Sequence, residues 1–353
     1  MNRIILEDCL QIIHDNDVEK LRNKSFLITG ASGMIGSYIA YVLKTLNEVY
    51  NMNINILLNV RNKNKLSKEL LNDDNVTVIE QDVINKFDIK DNVDYIVHAA
   101  SPASPKIMKD YPFETNAANT IGTYNTLLLA KEKKANYLFI SSREIYGEPS
   151  DEVSIFTEDG PLGQVNPLVP RNGYAEGKKA AENMCAAMHE EYGINTKIVR
   201  LAHTYGPGMS INDGRVQADF LNNVIHNQDI IMKSEGTSVR TYTYISDAVN
   251  AIFKVLLSSD DLVYNISDNN EITIKELALV LVSLSENSKL VMQIDKSLEK
   301  GSASFKRGIL SNEKITKDLN WQPKYNVYDG FKRTIEYLKE VELCDTNHMI
   351  KKL

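Results

Sequence analysis

Short apolar runs rich in β-branched and aromatic residues fall at 26–29, 54–60, 76–80, 95–98, 137–141 and 196–201, with helical segments starting near Met34, Thr115 and Tyr174 between them. Strand and helix taken in turn predict an α/β fold with a doubly wound parallel sheet, spanning about residues 25–204. Ahead of the first strand, Ile4, Ile5, Leu6, Leu10, Ile12, Ile13, Val18 and Leu21 recur among acids and amides. They predict a structural extension over 1–24 of one or two short helices packed outside that strand. After Tyr205-Gly206-Pro207-Gly208-Met209 the elements become shorter and mixed, which reads as a smaller C-terminal lobe over 205–340. Its boundary is not clean, because 247–257 can return as a helix against the main sheet. Residues 341–353 read as a polar tail, and no internal repeat or low-complexity tract interrupts the chain.

Composition narrows this picture modestly. At 353 residues the chain can bury a sizeable core, as one large unit or two domains sharing a cleft. The longest apolar stretch, at 277–284, is too short to span a bilayer, and no secretory signal precedes the first strand. Cys9, Cys185 and Cys344 are few, scattered and odd in number, which argues against a disulfide framework or a structural zinc site and for a reducing cytoplasm. A net charge of −7 offers nucleic acid no general attraction, although a local basic pocket for a phosphorylated small molecule is compatible with it.

Gly30, Gly33 and Gly36 form Thr-Gly-x-x-Gly-x-x-Gly directly after an apolar strand and at the start of a helix. In that context glycines allow a tight turn, close approach of backbone to a pyrophosphate and close helix–strand packing, with the helix N-terminus facing the phosphates. Together with Ser32, Met34 and Ile35 they predict a Rossmann-type site for NAD or NADP. NAD enzymes usually carry an acid at the end of the second strand, but this chain has Asn59-Val60-Arg61-Asn62-Lys63. Arg61, helped by Lys63, suits a 2′-phosphate and leans the reading toward NADP; the alternative is a solvated strand end. Asp82, followed by Val83, is positioned for the adenine amino group, and Ala99, Ala100 and Ser101 for the ribose and pyrophosphate.

Tyr174 and Lys178 sit four apart, so on a helix both project from one face. An unaided phenol, with pKa about 10, is mostly protonated at neutral pH, and a nearby ammonium is expected to lower it toward the range of a general base. The segment Ile140-Ser141-Ser142-Arg143-Glu144-Ile145-Tyr146-Gly147 precedes this pair, and alternation along an extended strand end would turn Ser142 and Glu144 to the same side.

These motifs resemble the extended short-chain dehydrogenases/reductases that act on nucleotide sugars, over nearly the whole chain from Ser25 to Leu338. Within that group the chain is most similar to UDP-glucuronate decarboxylases, through Ala100-Ser101-Pro102-Ala103-Ser104-Pro105, Asn119-Thr120-Ile121-Gly122-Thr123, Tyr174-x-Glu176-Gly177-Lys178, Asn212-Asp213-Gly214-Arg215-Val216 and Arg240-Thr241-Tyr242-Thr243-Tyr244-Ile245-Ser246-Asp247. The resemblance implies that Tyr174 takes the proton from the sugar O4 as the nicotinamide takes the C4 hydride. Ser142 would hydrogen bond the same oxygen, and Lys178 would hold Tyr174 and the cofactor ribose. Glu144 matches the position of a catalytic Glu, a base or proton relay near C5.

Two residues depart from the pattern. Arg143 replaces a small hydroxyl residue or an Asp; it can clamp a substrate carboxylate or turn away into a salt bridge, and a firm clamp would oppose decarboxylation by stabilising the ground state. His203 stands where relatives usually have an Asn that touches phosphate or nicotinamide, and it can still donate to phosphate. Arg240 and Arg307 match the two arginines that hold the diphosphate, while Arg215 and Val216 flank the base and ribose. The chain is thus expected to be a cytoplasmic, homodimeric, metal-independent enzyme that transforms a nucleotide-diphosphate sugar through a 4-keto intermediate, without nucleic-acid or membrane partners. Decarboxylation of a UDP-uronic acid leads; epimerisation, 4,6-dehydration, reduction of a 4-ketosugar and a non-catalytic nucleotide-binding role are the alternatives.

Overall fold

The computed structural model describes residues 1–147, 155–163, 165–295 and 307–350, with side chains described up to residue 341, so that Cys344 and most of the 341–353 segment lie outside the described side chains. Strands β1 (Ser25–Thr29), β2 (Asn55–Val60), β3 (Val76–Glu80), β4 (Tyr95–His98) and β5 (Asn136–Ser142) are joined, after a short β6 (Ile155–Phe156), by β7 (Thr196–Leu201). With a later strand, Val263–Ile266, they make a seven-stranded sheet in the order β3-β2-β1-β4-β5-β7-(263–266), every neighbouring pair parallel. The strand order reverses between β1 and β4, the switch point at which open sheets of this kind part to form a crevice at their carboxyl ends.

Both faces of the sheet are buried because successive strand residues point to opposite sides. Phe26 and Ile28 of β1, with Leu138 and Ile140 of β5, enter a core shared with the helices Met34–Tyr50 and Ile245–Ser258. Leu27, Tyr137 and Phe139 face the other way, onto Leu127 and Ala130 of the helix Pro112–Lys133 and Ala181 and Cys185 of the helix Gly173–Tyr192.

The N-terminal extension forms the helix Arg3–His14 and a 3-10 turn, Val18–Leu21. It packs on the helices Met34–Tyr50 and Ile245–Ser258, not outside β1, because its apolar stripe of Ile5, Cys9, Ile12 and Ile13 joins the helical core on that face. Asp8 is buried at its centre, where it accepts hydrogen bonds from Tyr38 (2.5 Å) and Tyr244 (2.9 Å) and pairs with Arg333 (2.7 Å).

The C-terminal part is interleaved with the main sheet. β8 (His203–Tyr205) and β10 (Val239–Tyr244) run parallel, with β12 (Glu271–Thr273) antiparallel to β10; β9 (Ile230–Met232) pairs with β13 (Leu290–Met292), β14 (Ile309–Leu310) pairs with β6, and Val263–Ile266 is β11. Thus the helix Ile245–Ser258 and β11 return to the main sheet from within the segment 205–340. The last helix, Val327–Ile350, runs on into the segment read as a polar tail, and its Phe331 stacks on Tyr205 with ring centroids 3.9 Å apart. Among the described residues no helix is long and apolar enough to cross a membrane.

Candidate active site

The glycine-rich loop leaves β1 at the switch point. Gly30 has φ +66°, and a Cβ there would lie 2.7 Å from Ala100 Cα, so only glycine lets the loop pass beneath the end of β4. A Cβ on Gly36 would meet Gly30 O at 2.6 Å, which keeps the Met34–Tyr50 helix close to its strand. Gly33 caps this helix, so the first amide groups of a 17-residue helix open toward the crevice beside Ser32, Met34 and Ile35.

Thr29 and His98, which sequence reasoning missed, lock the two strands at this point. Thr29 Oγ1 accepts from Ala100 N (3.2 Å) and lies 2.7 Å from His98 Nδ1, a hydrogen bond between the two side chains. Burial, and secondarily the charge of Lys178, push the His98 imidazole down to about 3, leaving it neutral at physiological pH. The missed signal was positional, since both residues end neighbouring strands in register.

Arg61 is exposed at the carboxyl end of β2, and Lys63 is turned toward Glu80 at 3.8 Å. Asp82 is half-buried after β3, with one oxygen accepting from Ile84 N (3.1 Å). Val83 packs under Gly122 of the Pro112–Lys133 helix, whose Asn125 donates to the Val83 and Ile84 carbonyls. Ala99 and Ala100 follow β4, and the buried Ser101 Oγ makes no hydrogen bond within the protein. A tight glycine cradle, an open helix N-terminus and this polar atom without a protein partner fit a dinucleotide.

Tyr174 and Lys178 lie one turn apart on the Gly173–Tyr192 helix, both buried. Lys178 Nζ donates to Ile140 O (2.6 Å) and sits 4.5 Å from the Phe139 ring centroid and 5.9 Å from that of Tyr174. Burial pushes the ammonium down to about 7. The expectation that Lys178 lowers the phenol does not hold for the protein alone, where Tyr174 is pushed up to about 12. Burial is the first cause and the Glu144 charge the second; hydrogen bonding with Ser142 and the charges of Arg215 and Arg171 oppose them. Lys178 is instead committed to the Ile140 carbonyl.

The strand alternation expected for Ser142 and Glu144 also fails. β5 stops at Ser142, and Arg143–Tyr146 is a 3-10 turn that Ser142 Oγ caps by accepting from Glu144 N (3.2 Å). The turn sends Glu144 to the cleft and buries Arg143, whose Nη2 lies 3.1 Å from where a Gly308 Cβ would be. Glu144 is held by Arg171, a residue the sequence reading passed over: Nη1 donates to Oε2 at 2.9 Å and Nη2 to Oε1 at 3.1 Å. The available signal was a cation three residues before Tyr174, in the approach to the same helix.

His203, on β8, is half-buried, with its Nε2 atom buried and unbonded among the described residues and its ring 5.7 Å from that of Tyr242. Burial first, then the charges of Arg143, Arg240 and Arg215, hold this imidazole well below its usual range. Arg215 donates to Ala103 O (2.7 Å) and caps the helix Val216–Ile225, which Val216 opens. Arg240 donates to Val239 O (2.7 Å) and is half-buried. Arg307 bridges to Val239 beside it, but its guanidinium forks onto Glu271, with Nε 2.8 Å from Oε2. Arg143, Arg171, Arg215 and Arg240 therefore converge around Tyr174, Glu144 and His203, a setting for an anionic ligand. Among the described residues no group of side chains could hold a metal ion.

Residues 26–267 match the NAD dependent epimerase/dehydratase family. The chain belongs to that family. It is 32% identical over 331 residues to UDP-glucuronic acid decarboxylase 1 of Danio rerio, covering 93% of this chain and 76% of that protein. In three dimensions it is similar to UDP-glucose 4-epimerase with UDP-glucose from Thermotoga maritima, at TM-score 0.74 and 22% identity, over 90% of this chain and 99% of the other. It is also similar to UDP-glucuronic acid 4-epimerase from Bacillus cereus in complex with UDP-glucuronic acid and NAD, at TM-score 0.72 and 20% identity, over 90% and 99% of the two chains. Family membership makes the chain an NAD-dependent enzyme of the extended short-chain dehydrogenase/reductase type.

Proposed function

We propose that this enzyme oxidises a UDP-uronic acid at C4 and lets the resulting 4-keto acid lose carbon dioxide. The observation that carries the reading is geometric: Tyr174 and Lys178 lie one turn apart on a buried helix face bonded to the end of β5, where Ser142 caps the turn that presents Glu144 to the Arg171 fork. A nicotinamide bound at the glycine cradle supplies reversible acceptance of a hydride, so oxidation and later reduction of the sugar consume no external reductant. Tyr174 takes the O4 proton, Ser142 hydrogen bonds the same oxygen, and Lys178, bonded to the Ile140 carbonyl of β5, holds the helix face that carries Tyr174 against the strand that ends in Ser142. Arg240 and Arg215 meet the diphosphate and the nucleoside side, and His203 offers its unbonded Nε2 to a ligand oxygen. Glu144 serves the second half of the reaction near C5. Oxidation at C4 makes the C6 carboxylate β to a ketone, so its loss as carbon dioxide leaves an enolate that needs only a proton.

Glu144→Gln keeps the shape and removes the base. Rapid mixing with UDP-glucuronate is expected to reduce the bound cofactor at near wild-type rate and then to stall, with reduced-nicotinamide absorbance persisting. Wild-type product at a wild-type rate would make Glu144 a structural acid.

A second reading, 4-epimerisation with the carboxylate retained, is favoured by one observation: a buried guanidinium at Arg143 beside the site can hold a carboxylate in its ionised ground state. Cofactor choice leans to NADP over NAD on the exposed Arg61, so Arg61→Ala is expected to weaken NADP far more than NAD in fluorescence titrations; equal losses would assign Arg61 to the solvated strand end. Self-association as a homodimer is supported by Phe113, Ile121, Tyr124 and Leu128, apolar residues left exposed along the Pro112–Lys133 helix, and sedimentation of the purified chain tests it. The buried free thiols of Cys9 and Cys185 suit a reducing cytoplasm, which fluorescence microscopy of the tagged chain tests.

A further inference from the structure

Arg171 has no role in the reading above, yet its guanidinium is in direct contact with Glu144, the carboxylate assigned to the second half-reaction. Both Glu144 oxygens accept from it in a fork at 2.9 and 3.1 Å, with Glu144 about a quarter exposed and Arg171 about half exposed. The fork is built from both sides. The Glu144 amide is tied to Ser142 Oγ, which fixes the turn that presents the carboxylate. Arg171 sits in the 3-10 turn Pro170–Asn172, where Pro170 restricts the backbone, Asn172 N donates to Val169 O and Asn172 Nδ2 donates to Asn166 O. The same turn leads directly into the helix that carries Tyr174 and Lys178.

We propose that Arg171 is a positioning residue: its guanidinium holds the Glu144 carboxylate in one orientation toward the sugar and offsets the charge that this carboxylate exerts on Tyr174. The proposal rests on the reading that Glu144 acts after C4 oxidation. A bidentate fork fixes the plane of a carboxylate where a single contact leaves it free to rotate, so the remaining lone pairs keep one direction. Charge works alongside geometry. The charges that act most on Tyr174 are those of Glu144 from the turn after β5, Arg215 from the cap of the Val216–Ile225 helix and Arg171 from the turn before its own helix, while Lys178 lies one turn along the same helix, its Nζ 5.9 Å from the ring centroid. Glu144 raises the phenol, while Arg171 and Arg215 lower it. Removing Arg171 therefore harms the first half of the reaction through the charge felt at Tyr174 and the second through the orientation of the carboxylate, whereas removing Glu144 harms only the second.

The test is a double-mutant cycle on the full-length enzyme, with UDP-glucuronate and whichever of NAD or NADP it binds. Arg171→Ala is expected to slow the second half-reaction roughly a hundredfold, the scale of a misplaced catalytic group. Its pH profile for cofactor reduction should shift, with the acid limb moving to higher pH, and Glu144→Gln should move that limb to lower pH. Arg171→Lys, which keeps the charge but loses the fork, should recover the pH limb and only part of the second half-reaction. In Arg171→Ala/Glu144→Gln the second half-reaction should be no slower than in Glu144→Gln alone, because the arginine acts through the carboxylate. Calorimetric affinity for UDP and the melting temperature should stay within error of wild type in all variants.

Arg171→Ala with wild-type second-half rate, or losses that multiply in the double variant, would overturn the proposal. So would a loss confined to UDP affinity, which would make Arg171 a ligand-binding residue. If Glu144→Gln alone turns over normally, it is the underlying reading of Glu144 that fails, and the Arg171→Ala pH limb still reports whether the arginine offsets charge at Tyr174.

Discussion

Tyr174 has its phenol buried against the end of β5, pushed up to about 12, and a phenol so placed gives the phenolate that can accept a proton only when positive charge is brought to it. Arg171 and Arg215 supply part of that charge from outside its helix. Lys178, held on the Ile140 carbonyl at 2.6 Å, fixes the helix against the sheet. Tyr174→Phe preserves the packing and deletes the proton acceptor, so C4 oxidation is expected to fall by at least about a hundredfold with the melting temperature and dinucleotide affinity kept. Stopped-flow measurement of cofactor reduction checks this, and near-normal rates would remove Tyr174 from the chemistry. At this scale the sequence was legible where spacing alone sets a shared face, as with Tyr174 and Lys178. It was not legible where the backbone changes type, because the 3-10 turn after Ser142 re-aims Arg143 and Glu144 in a way no alternation rule contains. Arg171 escaped notice for a related reason: its partner is distant in sequence and met only through that turn.

The six strands read from apolar runs agree with those of the sheet to within a residue at each end, because the inner runs are buried on both faces and need no partner pattern to be recognised, while the partly exposed edge run Val76–Glu80 is marked by its β-branched residues. β11 was missed since Val-Tyr-Asn-Ile is short and carries a polar residue that pairs with Tyr146 instead of water. The glycine loop shows how closely element geometry and cofactor chemistry are joined. With a Gly36 Cβ 2.6 Å from Gly30 O and 3.0 Å from Ala31 Cα, Gly36→Ala has only backbone to displace. The helix must move off its strand, at a cost on the order of 1–3 kcal/mol. The expected result is a lower melting temperature together with dinucleotide affinity weakened at least about tenfold, read by thermal denaturation and fluorescence titration. Unchanged values in both would mean that the loop does not rely on that approach.

At the scale of the whole molecule, the parts that sequence texture separates are tied together by long-range polar contacts. Asp8 joins the N-terminal helix to Tyr38 of the cofactor-side helix, Tyr244 at the end of β10 and Arg333 of the last helix. Asp247 accepts from the Lys324 and Tyr325 amides at 3.0 Å each, which fixes the entry to that last helix. These contacts tie the end of β10 and the helix after it to the first and last helices, and in the proposed reading the anionic ligand and the dinucleotide meet at Tyr174. The central claim is that a uronic acid oxidised there loses its carboxylate. Incubation of the purified enzyme and its nicotinamide cofactor with UDP-glucuronate, followed by mass spectrometry of the nucleotide sugar, measures this directly. The account predicts a product lighter by one carbon dioxide, with the cofactor returned to its oxidised form. A product of unchanged mass and inverted C4, or one lighter by water, would contradict it.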